Sequence, residues 1–260
     1  ARPEIWFGIP DVCRQFLVAS GITFFRELPW HKVSTLCISV ATEDRKQQPA
    51  RREEQRNLPI TAVGVTDADG YEELITTDAG LTEQEILQRL SAIIRECDPD
   101  LLTGYRCSDH DLPCLVRRAG YYGIRLRLGR DGSEPHQLQG SDLHRRQKGF
   151  GVYGRSVIDT VQLVRQYERQ VAPLPGYALP QVAAWFGCSV RHDPALPSII
   201  ADLRETTRIY RKLAPAWHIQ TQQYPAGFQA VTAKAGASVV AALLLKAQLQ
   251  KNCAMHVPVQ

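Results

Sequence analysis

The chain has 260 residues, of which 44% are hydrophobic and 22% charged, and its formal net charge is +4. This composition is typical of a soluble globular protein. No apolar run approaches the roughly 20 residues that span a bilayer, so no membrane partner is expected. The mild positive charge permits nucleic-acid binding without arguing for it.

The cysteines and the single methionine set the expected compartment and the extent of the chain. None of the seven cysteines belongs to a C-x-x-C pair, which favours reduced thiols of a cytoplasmic protein over a zinc site or a disulfide framework. The N-terminus has no basic segment followed by an apolar core, so a signal peptide is not predicted. Met255 is the only methionine, and we therefore expect an excised piece of a longer protein.

In chain order, the sequence predicts strands first and helices later. Residues 1–30 form a lead-in segment, residues 34–42 a buried strand, and the segment from Leu58 to Thr77 a hairpin that turns at Asp67–Gly70. Thr82 and Glu85 match a capping box, which predicts a helix over 82–97. A short strand at 101–105, a second helix from Leu112 and a strand from about residue 152 follow, and helices complete the chain.

This order predicts an α/β fold, namely a mixed sheet covered by helices on both faces. It is the order of ribonuclease-H-like nucleases, with a helical extension at the C-terminus. The expected division is a lead-in segment over 1–30, an exonuclease-like domain over 31–215 and a helical extension over 216–260.

Residues 98–119, DPDLLTGYRCSDHDLPCLVRRA, resemble the second exonuclease motif of family-B DNA polymerases. In that motif an Asp-Pro-Asp turn precedes a strand, a Gly-Tyr step and an aspartate that opens a Leu-rich helix. The stretches 124–135 and 153–166 resemble the corresponding parts of bacterial DNA polymerase II-type enzymes, in the same order. The resemblance covers roughly residues 30 to 250. It implies the fold of a DnaQ-type 3′→5′ exonuclease, attached to a polymerase.

The resemblance also implies a site of which much has been lost. The family carries an Asp-x-Glu pair on its first strand, and this chain has Ser39 and Ala41 in those places. In the second motif Asp111 matches the aspartate, whereas Arg106 and His110 replace an asparagine and an aromatic residue. The third motif, a tyrosine and an aspartate at i and i+4, is matched best by Ala201 and Glu205. We therefore expect a degenerate exonuclease, because two-metal hydrolysis needs about three or four carboxylates.

Each remaining candidate also has an ordinary structural interpretation. Asp111 is a weak metal candidate or the third helical residue of a capping box that starts at Ser108, and the cap is favoured. Glu205 is a weak metal candidate or a member of a surface ion pair with its neighbouring arginines, and the ion pair is favoured. Glu43 and Asp44 are possible replacement ligands or a solvated strand end. His110 is expected to be a spacer in a tight turn.

Basic residues are the candidates for nucleic-acid contact. Arg106 would lie in the cleft, where its guanidinium could replace part of the missing cation charge and hold a phosphate. The other candidates are solvated faces or DNA contacts; they are Arg125, Arg127, Arg130, His144, Arg145, Arg146, Lys148, Arg204, Arg208, Arg211 and Lys212.

We therefore expect an inactivated exonuclease domain of a family-B DNA polymerase with a nucleic-acid-binding or architectural role. One alternative is a weak metal-dependent exonuclease that uses Asp111, Glu205 and Glu43 or Asp44; the other is a protein-interaction module. No cofactor is expected, except Mg²⁺ or Mn²⁺ if nuclease activity remains. The expected partners are DNA, single-stranded by preference, and the remainder of the polymerase. The expected location is the cytoplasm, at a bacterial or archaeal nucleoid.

Overall fold

A computed structural model gives the fold of this chain and describes residues 12–43, 58–138, 149–191, 193, 195–233 and 236–251. The strands are β1 (Thr35–Thr42), β2 (Ile60–Asp67), β3 (Glu72–Thr76), β4 (Leu101–Gly104), β5 (His136–Leu138), β6 (Gly149–Gly151) and β7 (Ser156–Asp159). The α-helices are α1 (Val12–Ser20), α2 (Glu83–Cys97), α3 (Leu112–Tyr121), α4 (Thr160–Gln170), α5 (Leu179–Trp185), α6 (Ser198–Gln223), α7 (Phe228–Ala233) and α8 (Gly236–Gln250).

The main sheet has five strands in the order β3-β2-β1-β4-β7. β1 pairs antiparallel with β2 and parallel with β4, and β4 pairs parallel with β7. The predicted mixed sheet is therefore confirmed. Because β1 and β4 run in parallel at the centre, their carboxyl ends meet at one edge of the sheet, where ligands of α/β sheets commonly bind.

Local sequence signals explain why two of these elements begin and end where they do. The Thr82 hydroxyl accepts the Glu85 N–H and the Glu85 side chain accepts the Thr82 N–H, so the predicted capping box of α2 is confirmed. The hairpin between β2 and β3 turns as predicted: Asp67 Oδ1 accepts three backbone N–H groups, and Gly70 has a φ of 103°, which favours glycine.

The alternating side chains of β1 separate two packed layers. Leu36, Ile38 and Val40 contact the apolar faces of α2 and α3, whereas Cys37 packs against α6 on the opposite face. Gly64 of β2 allows α6 to approach closely, because a Cβ there would lie 2.5 Å from Leu203 Cδ1. Side chains at odd positions of β1 therefore face α6, and this places Ser39 and Ala41 on the α6 side of the sheet.

The helices after residue 160 share a core with the sheet. One buried cluster contains Leu101 and Ile158 from the strands together with Tyr210, Trp217 and Phe228 from the helices. The domain boundary expected after residue 215 falls within α6 and within this core. Among the residues that the structure describes, no helix is both long and apolar enough to cross a membrane.

Candidate functional site

A pocket of 400 Å³ lies at the carboxyl ends of β1 and β4. Among the described residues its lining consists of Ser39, Val40, Thr42, Glu43, Leu58, Tyr105, Arg106, His110, Asp111 and Asp202. Sequence positions far apart thus meet at one place: the end of β1, the turn before α3 and the first turns of α6. Three of these described side chains are carboxylates, namely Glu43, Asp111 and Asp202, and each has a different environment.

The turn between β4 and α3 builds one wall of the pocket. Residues Cys107–Asp111 form a single π-helical turn, preceded by Arg106 in the left-handed conformation with a φ of 64°. Gly104 permits the turn to lie against β1, because a Cβ there would be 2.7 Å from the Ile38 carbonyl oxygen. The tight approach puts His110 and Asp111 beside the end of β1.

Asp159, at the end of β7, holds this turn. Its Oδ1 accepts the Arg106 N–H at 2.8 Å and the Val161 N–H at 3.2 Å, and its Oδ2 accepts the Ser108 N–H at 3.1 Å. Burial raises the pKa of Asp159 to about 7, against the opposing effect of the three N–H donors. Sequence reasoning missed this residue. An aspartate between a strand and Thr160 is an N-cap signal that could have identified it.

Asp111 is buried, with 5% of its surface exposed, and lies directly in the pocket. His110 Nδ1 lies 2.9 Å from Asp111 Oδ1, and the Val40 backbone N–H also donates to the Asp111 carboxylate. Burial raises the pKa of Asp111 despite these donors. The favoured capping-box interpretation is wrong, because the Ser108 N–H, which the Asp111 side chain would accept in such a box, donates to Asp159 Oδ2 instead. The expectation that His110 is a spacer is also wrong, because its side chain contacts the Asp111 carboxylate and lines the pocket.

Ser39 and Ala41 lie on one face of β1 and are both half-buried. Ser39 lines the pocket, whereas Ala41 packs beside α6 at the margin of an apolar cluster. Neither side chain is ionisable. The strand therefore reaches the pocket without bringing a carboxylate to it.

The third acid of the pocket is Asp202 on α6, which the motif match did not select. It is half-buried, and burial raises its pKa, while a hydrogen-bonded ion pair with Arg191 opposes the rise. Asp202 and Asp111 repel each other electrostatically. The third motif has a tyrosine four residues before its aspartate. If Asp202 is taken as that aspartate, the tyrosine position is Ser198, the first residue of α6.

Ala201 and Glu205, the predicted third-motif pair, do not line the pocket. Both are buried, and Glu205 has no exposed surface. Glu205 accepts hydrogen bonds from Ser189 Oγ at 3.2 Å, the Val190 N–H at 3.1 Å and Arg191 Nε at 3.0 Å. The predicted surface ion pair is therefore wrong: Glu205 is a buried anchor for the loop before α6, and its partner is Arg191.

Several predicted residues lie at the edge of the pocket or outside the described part of the chain. Arg106 is exposed and lines the pocket, and Glu43 is exposed at the end of β1. Asp44 and the basic residues His144, Arg145, Arg146 and Lys148 lie outside the described residues. In the part of the chain that the structure describes, no three carboxylate, imidazole or thiol side chains converge closely enough to hold a metal ion.

Comparison with known proteins gives one family for this fold and pocket. The family model described as "DNA polymerase family B, exonuclease domain" matches residues 31–182. The DNA polymerase of Pyrococcus glycovorans is 33% identical over 137 residues, and DNA polymerase 1 of Pyrococcus abyssi is 34% identical over 140 residues. Each alignment covers 50% of this chain but only 17% of the polymerase.

A solved structure has the same fold. The family B DNA polymerase from the hyperthermophilic archaeon Pyrobaculum calidifontis matches 84% of this chain and 29% of its own, with a TM-score of 0.69 and 22% identity. This similarity confirms the predicted ribonuclease-H-like architecture.

Proposed function

The chain belongs to the exonuclease-domain family of family-B DNA polymerases, and on that premise we propose that its pocket is a 3′→5′ exonuclease site that no longer performs metal-dependent hydrolysis. Such hydrolysis uses two divalent cations to activate the attacking water and to stabilise the leaving oxygen. Hard cations need carboxylate oxygens, and two of them beside a phosphate need several. The proposal therefore depends on which carboxylates the pocket can supply.

The identity of two positions on the α6-facing side of β1 carries the proposal. Ser39 and Ala41 occupy one face of the strand, where the family's acidic pair would stand, and they contribute no negative charge. A serine hydroxyl is at most a weak neutral ligand and an alanine is none. The donor set does not fit a pair of divalent cations.

The two aspartates that remain are engaged by cationic or donor groups of the protein itself. Asp202 is paired with Arg191, and Asp111 is in contact with His110 and the Val40 N–H. A metal ion would have to displace or tolerate these groups. The pKa of both aspartates is raised, mainly by burial, against the opposing effect of these neighbouring groups.

Arg106 supports a remaining role in binding nucleic acid. Its guanidinium is exposed at the pocket, and none of the ion pairs among the described residues involves it. An arginine presents a planar fork of donors that matches a phosphate. We therefore propose that the pocket binds the end of a DNA single strand but does not cleave it.

The wider setting follows from the family. We propose that the chain works as part of a polymerase, with DNA and the rest of that polymerase as its partners, at the nucleoid in the cytoplasm. Its proposed source is a bacterial enzyme of the polymerase II type, as the sequence stretches at 124–135 and 153–166 suggest.

A second candidate function is a weak metal-dependent exonuclease. It is favoured by one observation: Asp111, Asp202 and Glu43 line the same pocket. This set differs from the predicted one because Asp202 replaces Glu205. For a third function, a protein-interaction module, the described residues offer no specific contact as support.

Digestion of a labelled single strand in the presence of Mg²⁺ or Mn²⁺ tests the proposal. We expect no cleavage by the chain and none by its Asp111→Asn and Asp202→Asn variants. Cleavage by the chain that either variant abolishes would establish the weak exonuclease instead. Binding of the single strand is measured without metal, and Arg106→Ala should weaken it. The control is Arg26→Ala, which removes the same charge from an exposed side chain 80 residues away in sequence.

A further inference from the structure

A second concave surface lies at the opposite end of the sheet from the pocket. It is a groove of 580 Å³ between the end of α2, the residues before β4 and the segment 124–132. Among the residues that the structure describes, its lining contains five arginines and one carboxylate; the arginines are Arg95, Arg125, Arg127, Arg130 and Arg155, and the carboxylate is Asp98. None of its described lining residues also lines the nuclease pocket. We refer to it as the arginine groove.

Two of the arginines are fixed parts of the groove wall. Arg130 Nε lies 2.9 Å from Asp98 Oδ1, and its Nη2 lies 2.9 Å from Asp100 Oδ1. Arg155 is buried, donates to the Leu128 carbonyl oxygen at 3.0 Å and pairs with Asp98 at 2.8 Å. These paired side chains stiffen the wall before any ligand arrives, which lowers the entropy cost of binding.

The other three arginines remain available to a ligand. Arg95, Arg125 and Arg127 are exposed, and none of them takes part in an ion pair within the described parts of the chain. Arg125 and Arg127 alternate with the buried Leu126 and Leu128, so both arginines lie on the solvent side of their segment. Arg95 lies in the last turn of α2, where the helix dipole favours a cation.

We propose that the arginine groove binds the phosphodiester backbone of a nucleic acid without reading its sequence. Arg95, Arg125 and Arg127 are exposed cations outside the ion pairs of the described residues, which favours a polyanionic ligand, and the fork of each of them matches a phosphate. Among the described residues of the lining, Ile124 and Ala92 are the apolar side chains, and none is an aromatic residue on which a base could stack. The described lining also offers no apolar pocket that could bury the aromatic side chain of a protein partner.

This inference goes beyond the proposed function and does not depend on it, because the groove and the nuclease pocket lie at opposite ends of β4. A nucleic acid held by both surfaces would have to follow the sheet from one end to the other. The groove would bind its ligand whether or not the pocket cleaves.

Fluorescence anisotropy with a labelled 30-nucleotide thymidine single strand and a 30-base-pair duplex tests the proposal on the whole chain. Arg125→Ala with Arg127→Ala should lower affinity about tenfold at low salt, and it should reduce the slope of log K against log salt by roughly 1.5, since each phosphate contact contributes about 0.7 to 0.9. The matched control removes the same charge at two exposed positions, Arg26→Ala with Arg169→Ala, and should leave the slope unchanged.

Three outcomes are informative. A slope unchanged by Arg125→Ala with Arg127→Ala overturns the arginine groove. Loss of binding in Arg106→Ala alone, with the double variant unaffected, supports the pocket proposal and also overturns the groove. Displacement of the nucleic acid by polyglutamate at equal charge concentration overturns the choice of ligand in favour of an acidic protein, whereas resistance to polyglutamate supports it.

Discussion

Glu83 and Asp111 are two buried carboxylates near the starts of neighbouring helices, yet their surroundings move their pKa values in opposite directions. At Glu83 burial raises the pKa, but hydrogen bonds from Arg118, the Ile60 N–H and Tyr122 more than offset it, and the net pKa is lowered. At Asp111 burial dominates over two donors, and the pKa is raised. Folding therefore favours the ionised form of Glu83, whereas it disfavours the ionised form of Asp111.

The comparison separates residues that hold the fold from residues that remain from a site. Glu83 receives Arg118 Nε at 2.7 Å, Arg118 Nη2 at 2.6 Å and the Ile60 N–H at 2.8 Å, so it connects α2, α3 and β2. Asp111 connects the pocket turn to one strand N–H. Stability should therefore depend strongly on the first carboxylate and little on the second.

The largest predicted effect is at Glu83. Glu83→Ala leaves the Arg118 guanidinium buried without its carboxylate, and we expect the free energy of unfolding to fall by about 3 to 5 kcal/mol in urea denaturation. The control is Glu72→Ala, which removes a half-exposed ion pair with Arg204 and should cost less than about 1 kcal/mol. Equal losses in the two variants would contradict the scaffold role of Glu83.

A smaller loss is expected at Asp159, which holds the pocket turn. Asp159→Ala leaves three backbone N–H groups without their acceptor, and we expect a destabilisation of about 2 to 3 kcal/mol by denaturation. Asp159→Asn keeps one acceptor oxygen and should lose less. If both variants were as stable as the original chain, Asp159 would not be holding the turn.

At Asp111 the predicted effect changes with pH. A carboxyl whose pKa is raised by folding contributes stability that is fully present below its unfolded pKa, near 4, and is lost as the pH rises through the folded value. Asp111→Asn removes this loss, so the variant should gain in melting temperature relative to the original chain as the pH rises from 4 to 7.

Asp159 titrates over the same range in both proteins, because its pKa is raised to about 7. Its contribution therefore cancels in the difference between the two melting curves. If the melting temperature of the Asp111→Asn variant fell relative to that of the original chain as the pH rises, the raised pKa of Asp111 would be contradicted.

The smallest effect is expected at the cap of α2. Thr82→Ala removes the hydroxyl that accepts the Glu85 N–H and should lower stability by about 1 kcal/mol, independently of the pocket. Nucleic-acid binding measured on the same variant should be unchanged. A change in binding would show that the scaffold and the site are not separable in the way that Glu83 and Asp111 suggest.

Locally encoded features of this fold were predictable from the sequence. The cap at Thr82, the hairpin turn at Gly70 and the helix over 83–97 depend on residues within a few positions of one another. The pocket wall at Asp111 was found through a motif. These features need no knowledge of how distant segments pack.

The third motif was assigned to the wrong residues for a physical reason. Asp202 and Glu205 are three residues apart on α6, so they lie within one turn of the same helix face. Which of them faces the pocket is decided by Arg191 and the backbone of Val190, which reach α6 from the preceding loop and enclose Glu205. That choice is a tertiary one. The sequence contains one clue to the correct choice: the motif has an aspartate, and Asp202, unlike Glu205, is an aspartate.

The central claim is tested most directly by measuring Mn²⁺ binding to the pocket, with electron paramagnetic resonance to report the concentration of free Mn²⁺. The original chain should not bind Mn²⁺ in the pocket. Ser39→Asp with Ala41→Glu should bind it, because the pair restores two carboxylates on the face of β1 where Ser39 lines the pocket and where the family has its acidic pair. The isosteric control Ser39→Asn with Ala41→Gln should not. Binding by the original chain that Asp111→Asn abolishes would contradict the account.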